Sequence, residues 1–135
     1  MNVSEIFKKY DPKEEAKWKE YKGMKFLIAP VGNPTYKNAM LKNLTLKQAT
    51  MIETHGPEAL EMQGDEALAK IYKIYADSVV CDWEEVKEGS KKLVFSKDKI
   101  LEWMIGFDDF ANFIITEAHN VRNESLKEVE EVEKN

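Results

Sequence analysis

Phe107-Asp108-Asp109-Phe110-Ala111-Asn112-Phe113-Ile114-Ile115-Thr116-Glu117-Ala118-His119-Asn120-Val121 is the stretch on which the fold turns. At about 100° per residue, Phe107, Phe110, Ala111, Ile114, Ala118 and Val121 fall on one helical face. Phe113 and Ile115 lie on opposite flanks of that stripe. They widen the apolar arc to roughly half the circumference, against the ~100° of an ordinary surface helix. A helix this apolar is either wedged between elements of its own domain or leaves one flank open to dock a partner helix or strand. Trp103, Phe110, Phe113, Ile114 and Ile115 are the residues placed on such a partner-binding surface. Replacing Phe113 with Glu separates the two cases: weakened capture with an intact fold marks an open flank, whereas collapse marks a core position.

Working outward, Ser96 is a good N-cap for a helix from Lys97 to Ile105, and Gly106 supplies its stop. Upstream, Leu68, Ile71, Tyr72, Tyr75, Ala76 and Val79 recur at spacings of three and four, predicting a helix from Asp65, its cap, to about Val80. Between these helices Glu88-Gly89-Ser90 followed by Leu93-Val94-Phe95 suits a turn or small hairpin. Asn33-Pro34 reads as N-cap and first helical residue of a helix reaching about His55, with Thr45 a kink or a fresh cap. Gly23-Met24-Lys25-Phe26-Leu27-Ile28-Ala29-Pro30 is a short strand bounded by Gly and Pro. Residues 13–22 read only as a highly charged stretch around Trp18 and Tyr21, and residues 4–10 as a short helix with Ser4 as its cap, ended by Asp11-Pro12. Gly56-Pro57 and Gly64 punctuate a connector of no clear pattern.

The expected fold is therefore mainly α: a small helical domain of about four or five helices, with a short strand or hairpin near residues 24–29 and a turn or hairpin near 83–95. Residues 1–123 form the domain. Residues 124–135, rich in Glu with only Leu126, Val129 and Val132 apolar, form an acidic helical extension or frayed tail.

With 135 residues the chain suits one domain, and 43% apolar residues argue against disorder of the whole. No apolar run approaches the roughly 18 to 20 residues that cross a bilayer. The opening Met1-Asn2-Val3-Ser4-Glu5-Ile6-Phe7 lacks the basic-then-apolar order of a secretory signal, and the single Cys81 has no internal disulfide partner. The bacterial cytoplasm is the expected compartment. Residues 1–50 carry ten Lys against five Asp/Glu, and residues 51–135 ten Lys/Arg against twenty Asp/Glu. Such asymmetry either steers a charged partner or decorates solvated faces. Nucleic acid is not an expected partner, because lysines alternate with acids and Arg122 is the sole arginine.

Catalytic chemistry is not signalled. The glycines form neither GxGxxG nor GxxxxGK[ST]. His55 and His119 sit in no metal-ligand spacing, Cys81 reads as an inert thiol at a helix end, and the carboxylate pairs Glu84-Glu85 and Asp108-Asp109 are adjacent and do not face each other. No enzyme activity, cofactor or metal is expected.

Three stretches carry a family resemblance. They are Phe26-Leu27-Ile28-Ala29 followed by Gly32-Asn33-Pro34-Thr35-Tyr36; Ala76-Asp77-Ser78-Val79-Val80-Cys81-Asp82-Trp83 followed by Phe95-Ser96; and the phenylalanine-rich helix running into an acidic end at Lys134-Asn135. In this order, from about residue 23 onward, the chain resembles the tail assembly chaperones of long-tailed bacteriophages and prophages. Asp82 stands where that pattern has glycine. The resemblance implies a non-catalytic protein that binds the tape measure protein and tail tube subunits during tail morphogenesis. The alternatives are a structural tail completion or connector component of the virion, or a bacterial protein-interaction module.

Overall fold

A computed structural model describes residues 2–6, 9–56 and 64–134. The connector around Pro57 falls outside them. Helix α1 spans Val3–Ile6, and a 3-10 turn, Pro12–Glu14, is capped by Asp11, whose carboxylate accepts from the Lys13 amide. Strands β1 (Lys17–Tyr21) and β2 (Met24–Ile28) form a hairpin. Its loop, Lys22-Gly23, has φ of 49° and 86°, the left-handed pair that two-residue hairpins favour. Then come α2 (Pro34–Asn43), α3 (Leu46–His55), α4 (Asp65–Ser78), β3 (Val80–Glu84), the small strands β4 (Lys87–Glu88) and β5 (Lys91–Lys92), α5 (Lys97–Gly106) and α6 (Asp108–Lys134).

The mainly-α expectation is thus corrected: among the described residues five strands in two sheets accompany the helices, and the fold is mixed α/β. The main sheet has the order β1-β2-β3, antiparallel throughout, with Phe26 opposite Trp83 and a register shift at Leu27/Ile28. Two strands escaped the sequence reading for physical reasons. β1, Lys-Trp-Lys-Glu-Tyr, is an edge strand whose alternation is disguised by lysines on its packed face. Lys17 pairs with Glu124 and Glu128 at 3.2 and 2.8 Å, and Lys19 with Glu117 and Glu124 at 3.5 and 2.9 Å, all on α6. Such lysines keep an exposed edge from recruiting another strand. β3 was hidden because Val79-Val80 prolongs the apolar pattern of α4, although that helix stops at Ser78.

Other boundaries follow local chemistry. α2 and α3 are separate helices: Leu44 turns extended (φ −119°, ψ 150°), and Thr45 opens α3 with a reciprocal capping box to Gln48. Asp65 is the first residue of α4 rather than its cap, a position taken by Gly64 at φ 103°. Asn33 caps α2 through a 2.9 Å bond from the Tyr36 amide, and its own amide group donates to the carbonyls of Pro30 (2.7 Å) and Ser78 (3.2 Å). α6 passes residue 123 without a break and continues to Lys134.

The core lies where β2, β3, α4, α5 and α6 meet. Phe26, Ile28, Tyr75, Val79, Ile100, Met104, Ile114 and Val121 are all sealed from water. Helix α6 fills the centre with Phe110, Ala111, Ile114, Ala118 and Val121, as its periodicity requires. The Val31 amide also donates to the Ala118 carbonyl, which fastens the segment before α2 to the middle of α6.

Candidate partner-binding groove

Seven aromatic rings from five elements and one loop contact one another at the end of the molecule where the sheet meets α5 and α6. Trp83 of β3 stacks on Trp103 of α5 (5.4 Å, 24°), meets Phe95 edge-on at 5.2 Å, and donates its indole N–H to the Leu93 carbonyl at 2.9 Å. Phe26 of β2 meets Phe110 (5.3 Å) and Phe113 (6.0 Å), while Tyr21 of β1 packs on the same two rings. Pairs in this geometry contribute about 0.5–1.5 kcal/mol each beyond area burial.

Above this cluster lies a cavity of about 520 Å³ between the β1–β2 turn, the β4–β5 hairpin and the α5–α6 junction. Tyr21, Met24, Val86, Leu93, Trp103, Phe107 and Phe110 form its apolar walls, and Lys22, Lys87, Asp108 and Asp109 its charged parts. Phe107 is 64% exposed. It sits between two helices in extended backbone (φ −138°, ψ 104°), so the helical periodicity that assigned it to the buried face does not apply.

The five residues placed at a partner surface divide. Ile114, 0% exposed, lies in the core and away from the cavity, while Phe110, 3% exposed, is a core ring that also lines the cavity. Trp103, Phe113 and Ile115 are half-buried, and of these only Trp103 lines the cavity. Phe113 packs between Tyr21 and Phe26. The sequence reading missed Tyr21, Met24, Val86, Leu93 and Phe107. The visible signal was Gly106: a helix stop there puts the next residue outside both helices.

Charge around the cavity is unevenly satisfied. The Lys22 ammonium lies 5.3 Å from the centre of the Tyr21 ring, and Lys87 pairs with Glu85 at 3.2 Å. The hydrogen bond from Lys87 holds the Glu85 carboxyl below its ordinary value. Asp108 and Asp109, both exposed in the first turn of α6, have no ion-pair partner among the described residues.

Elsewhere, a cavity of about 460 Å³ is lined by Tyr36, Tyr75, His119 and Arg122, with the Tyr75 hydroxyl 3.4 Å from His119 Nε2. Cys81 lies half-buried on β3 rather than at a helix end, and burial pushes its thiol pKa up. Among the described residues no three His, Cys, Asp or Glu side chains gather to hold a metal ion, and no helix is long and apolar enough to cross a membrane.

Compared with known proteins, residues 31–135 match the family model described as YdaY prophage protein. No curated protein and no solved structure matches the chain.

Proposed function

The chain belongs to the YdaY prophage protein family, and from that premise we propose that this phage-related protein is a tail assembly chaperone. In this reading it binds the tape measure protein and tail tube subunits during tail morphogenesis and carries out no catalysis. The observation that carries the reading is the open apolar groove, where the exposed Phe107 and the Trp103 wall stand over an aromatic floor. A long helical partner with an apolar stripe suits such a groove. Burying one large apolar side chain contributes about 1.5–3 kcal/mol, much of it offset by the cost of association. Two or three anchors then sustain a complex that forms and releases, as assembly requires. The ordered stretches that resemble those of tail assembly chaperones add support. Asn33, Trp83 and Ser96 cap helices or anchor the core, so they fit a common scaffold.

Coexpression with the tape measure product of the same prophage tests the proposal. The expected result is a soluble complex that co-purifies and is lost on Phe107→Glu. Absence of co-purification, with no gain in tape measure solubility, would overturn it. Stoichiometric copies in purified particles would instead favour a structural tail component.

A further inference from the structure

We propose that the groove selects a basic amphipathic helix, one whose apolar anchors are flanked by lysine or arginine that meet Asp108 and Asp109. This rests on reading the groove as the partner site and goes on to specify the partner's chemistry. The first observation is the mode of contact. The walls are side chains, and Tyr21 and Met24, the two residues of the main sheet among them, are paired with each other across the hairpin. Strand addition needs free backbone donors and acceptors, so a helix laid on side chains is the fitting occupant. The volume of about 520 Å³ lies within the range that takes a few large side chains.

The second observation is charge. On one side Lys22 is engaged with the Tyr21 ring and Lys87 with Glu85. On the other side Asp108 and Asp109 have only the positive end of α6 to face, and among the described residues no cation meets them. With Glu85 counted, the rim carries three carboxylates (Glu85, Asp108, Asp109) against two ammonium groups (Lys22, Lys87), an excess of one negative charge. A helix with acidic flanks is repelled there; one with basic flanks is drawn in and oriented by the same pair.

Fluorescence anisotropy with two labelled helical peptides of about 18 residues tests it, both with the same leucine stripe, one flanked by Lys and the other by Glu. The full chain is expected to bind the Lys-flanked peptide about tenfold more tightly at low salt, with the margin shrinking as salt rises. The D108N/D109N double variant should lose most of that margin while keeping apolar binding, because at these exposed first-turn positions Asn gives up only the carboxylate's modest attraction to the positive end of α6. Phe107→Glu, at an exposed position, should abolish binding of both peptides without unfolding the chain. Equal affinity of the two peptides overturns the inference, as does a preference that survives D108N/D109N. A groove occupied by a second copy, seen as an oligomer that Phe107→Glu converts to monomer, overturns it as well. If the tape measure co-purifies but no charge preference appears, only the specificity fails. If neither peptide nor tape measure binds, the functional reading fails too.

Discussion

Asn33 concentrates three tasks in one side chain. Its carbonyl oxygen caps α2, and its amide nitrogen bridges the carbonyls of Pro30 and Ser78, so it ties the chain after β2 to the end of α4. It is 5% exposed, so water does not replace lost partners. Asn33→Ala is expected to cost about 2–3 kcal/mol, the sum of a lost cap and stranded buried carbonyls, measurable as a lowered urea midpoint with unchanged slope. Asn33→Asp keeps the cap acceptor but loses both amide donations, and should fall nearly as far. Only the capping role was legible in Asn33-Pro34, because the tie to Ser78 depends on a partner 45 residues away. Phe113 teaches the complementary lesson. Periodicity placed it on a flank of α6, yet Tyr21 and Phe26 arrive from the sheet to cover it. Phe113→Glu should therefore destabilise the fold, whereas Phe107→Glu should spare it.

Among the elements, β1 and the second half of α6 are coupled by ion pairs rather than by a shared apolar face. Hydrogen bonds from Lys19 and Lys17 hold the Glu124 carboxyl below its ordinary value of 4.5, and the bonds that Lys17 donates to Glu128 and Glu124 raise its own value above 10.5. The signs set the window. A depressed carboxyl contributes stability above pH 4.5 and loses it as pH falls through the lower folded value. A raised lysine contributes below pH 10.5 and loses it as pH climbs through the higher folded value. The coupling is therefore intact across neutral pH and weakens at both extremes. Following the Glu124 carboxyl carbon by NMR should give a midpoint below 4.5, and Lys17→Ala combined with Lys19→Ala should move it back up. A midpoint indifferent to both lysines would show that the pairs do not persist in solution. These same lysines explain why β1 was illegible as a strand: alternation was present, but charged residues on the inward face pair with glutamates that lie about a hundred positions on. The helices were far more legible. Their boundaries depend on local signals such as Ser96, Thr45 and Gly106, whereas β3 and the groove arise from contacts distant in sequence.

At the scale of the molecule, stability is centred before the end of α6. Among the residues of that helix whose burial is described, Val121 is the last sealed in the core, and Leu126 and Val129 are more than half exposed. Truncation after Asn123 should leave a folded, cooperative domain and remove surface ion pairs together with the half-exposed Leu126 and Val129, seen as a small drop in thermal midpoint. Loss of the cooperative transition would place the true core boundary further along the helix.

The antiparallel ladder between β2 and β3 has a consequence for how the polypeptide is made. Residues 25–28 wait for residues 80–84, and Phe26 is roofed only when Phe110 and Phe113 arrive. During translation the β1–β2 hairpin therefore leaves the ribosome with its apolar side bare and stays so until α6 has emerged. Ribosome-arrested chains released before α6 should remain sensitive to protease, and resistance should appear late and in a single step.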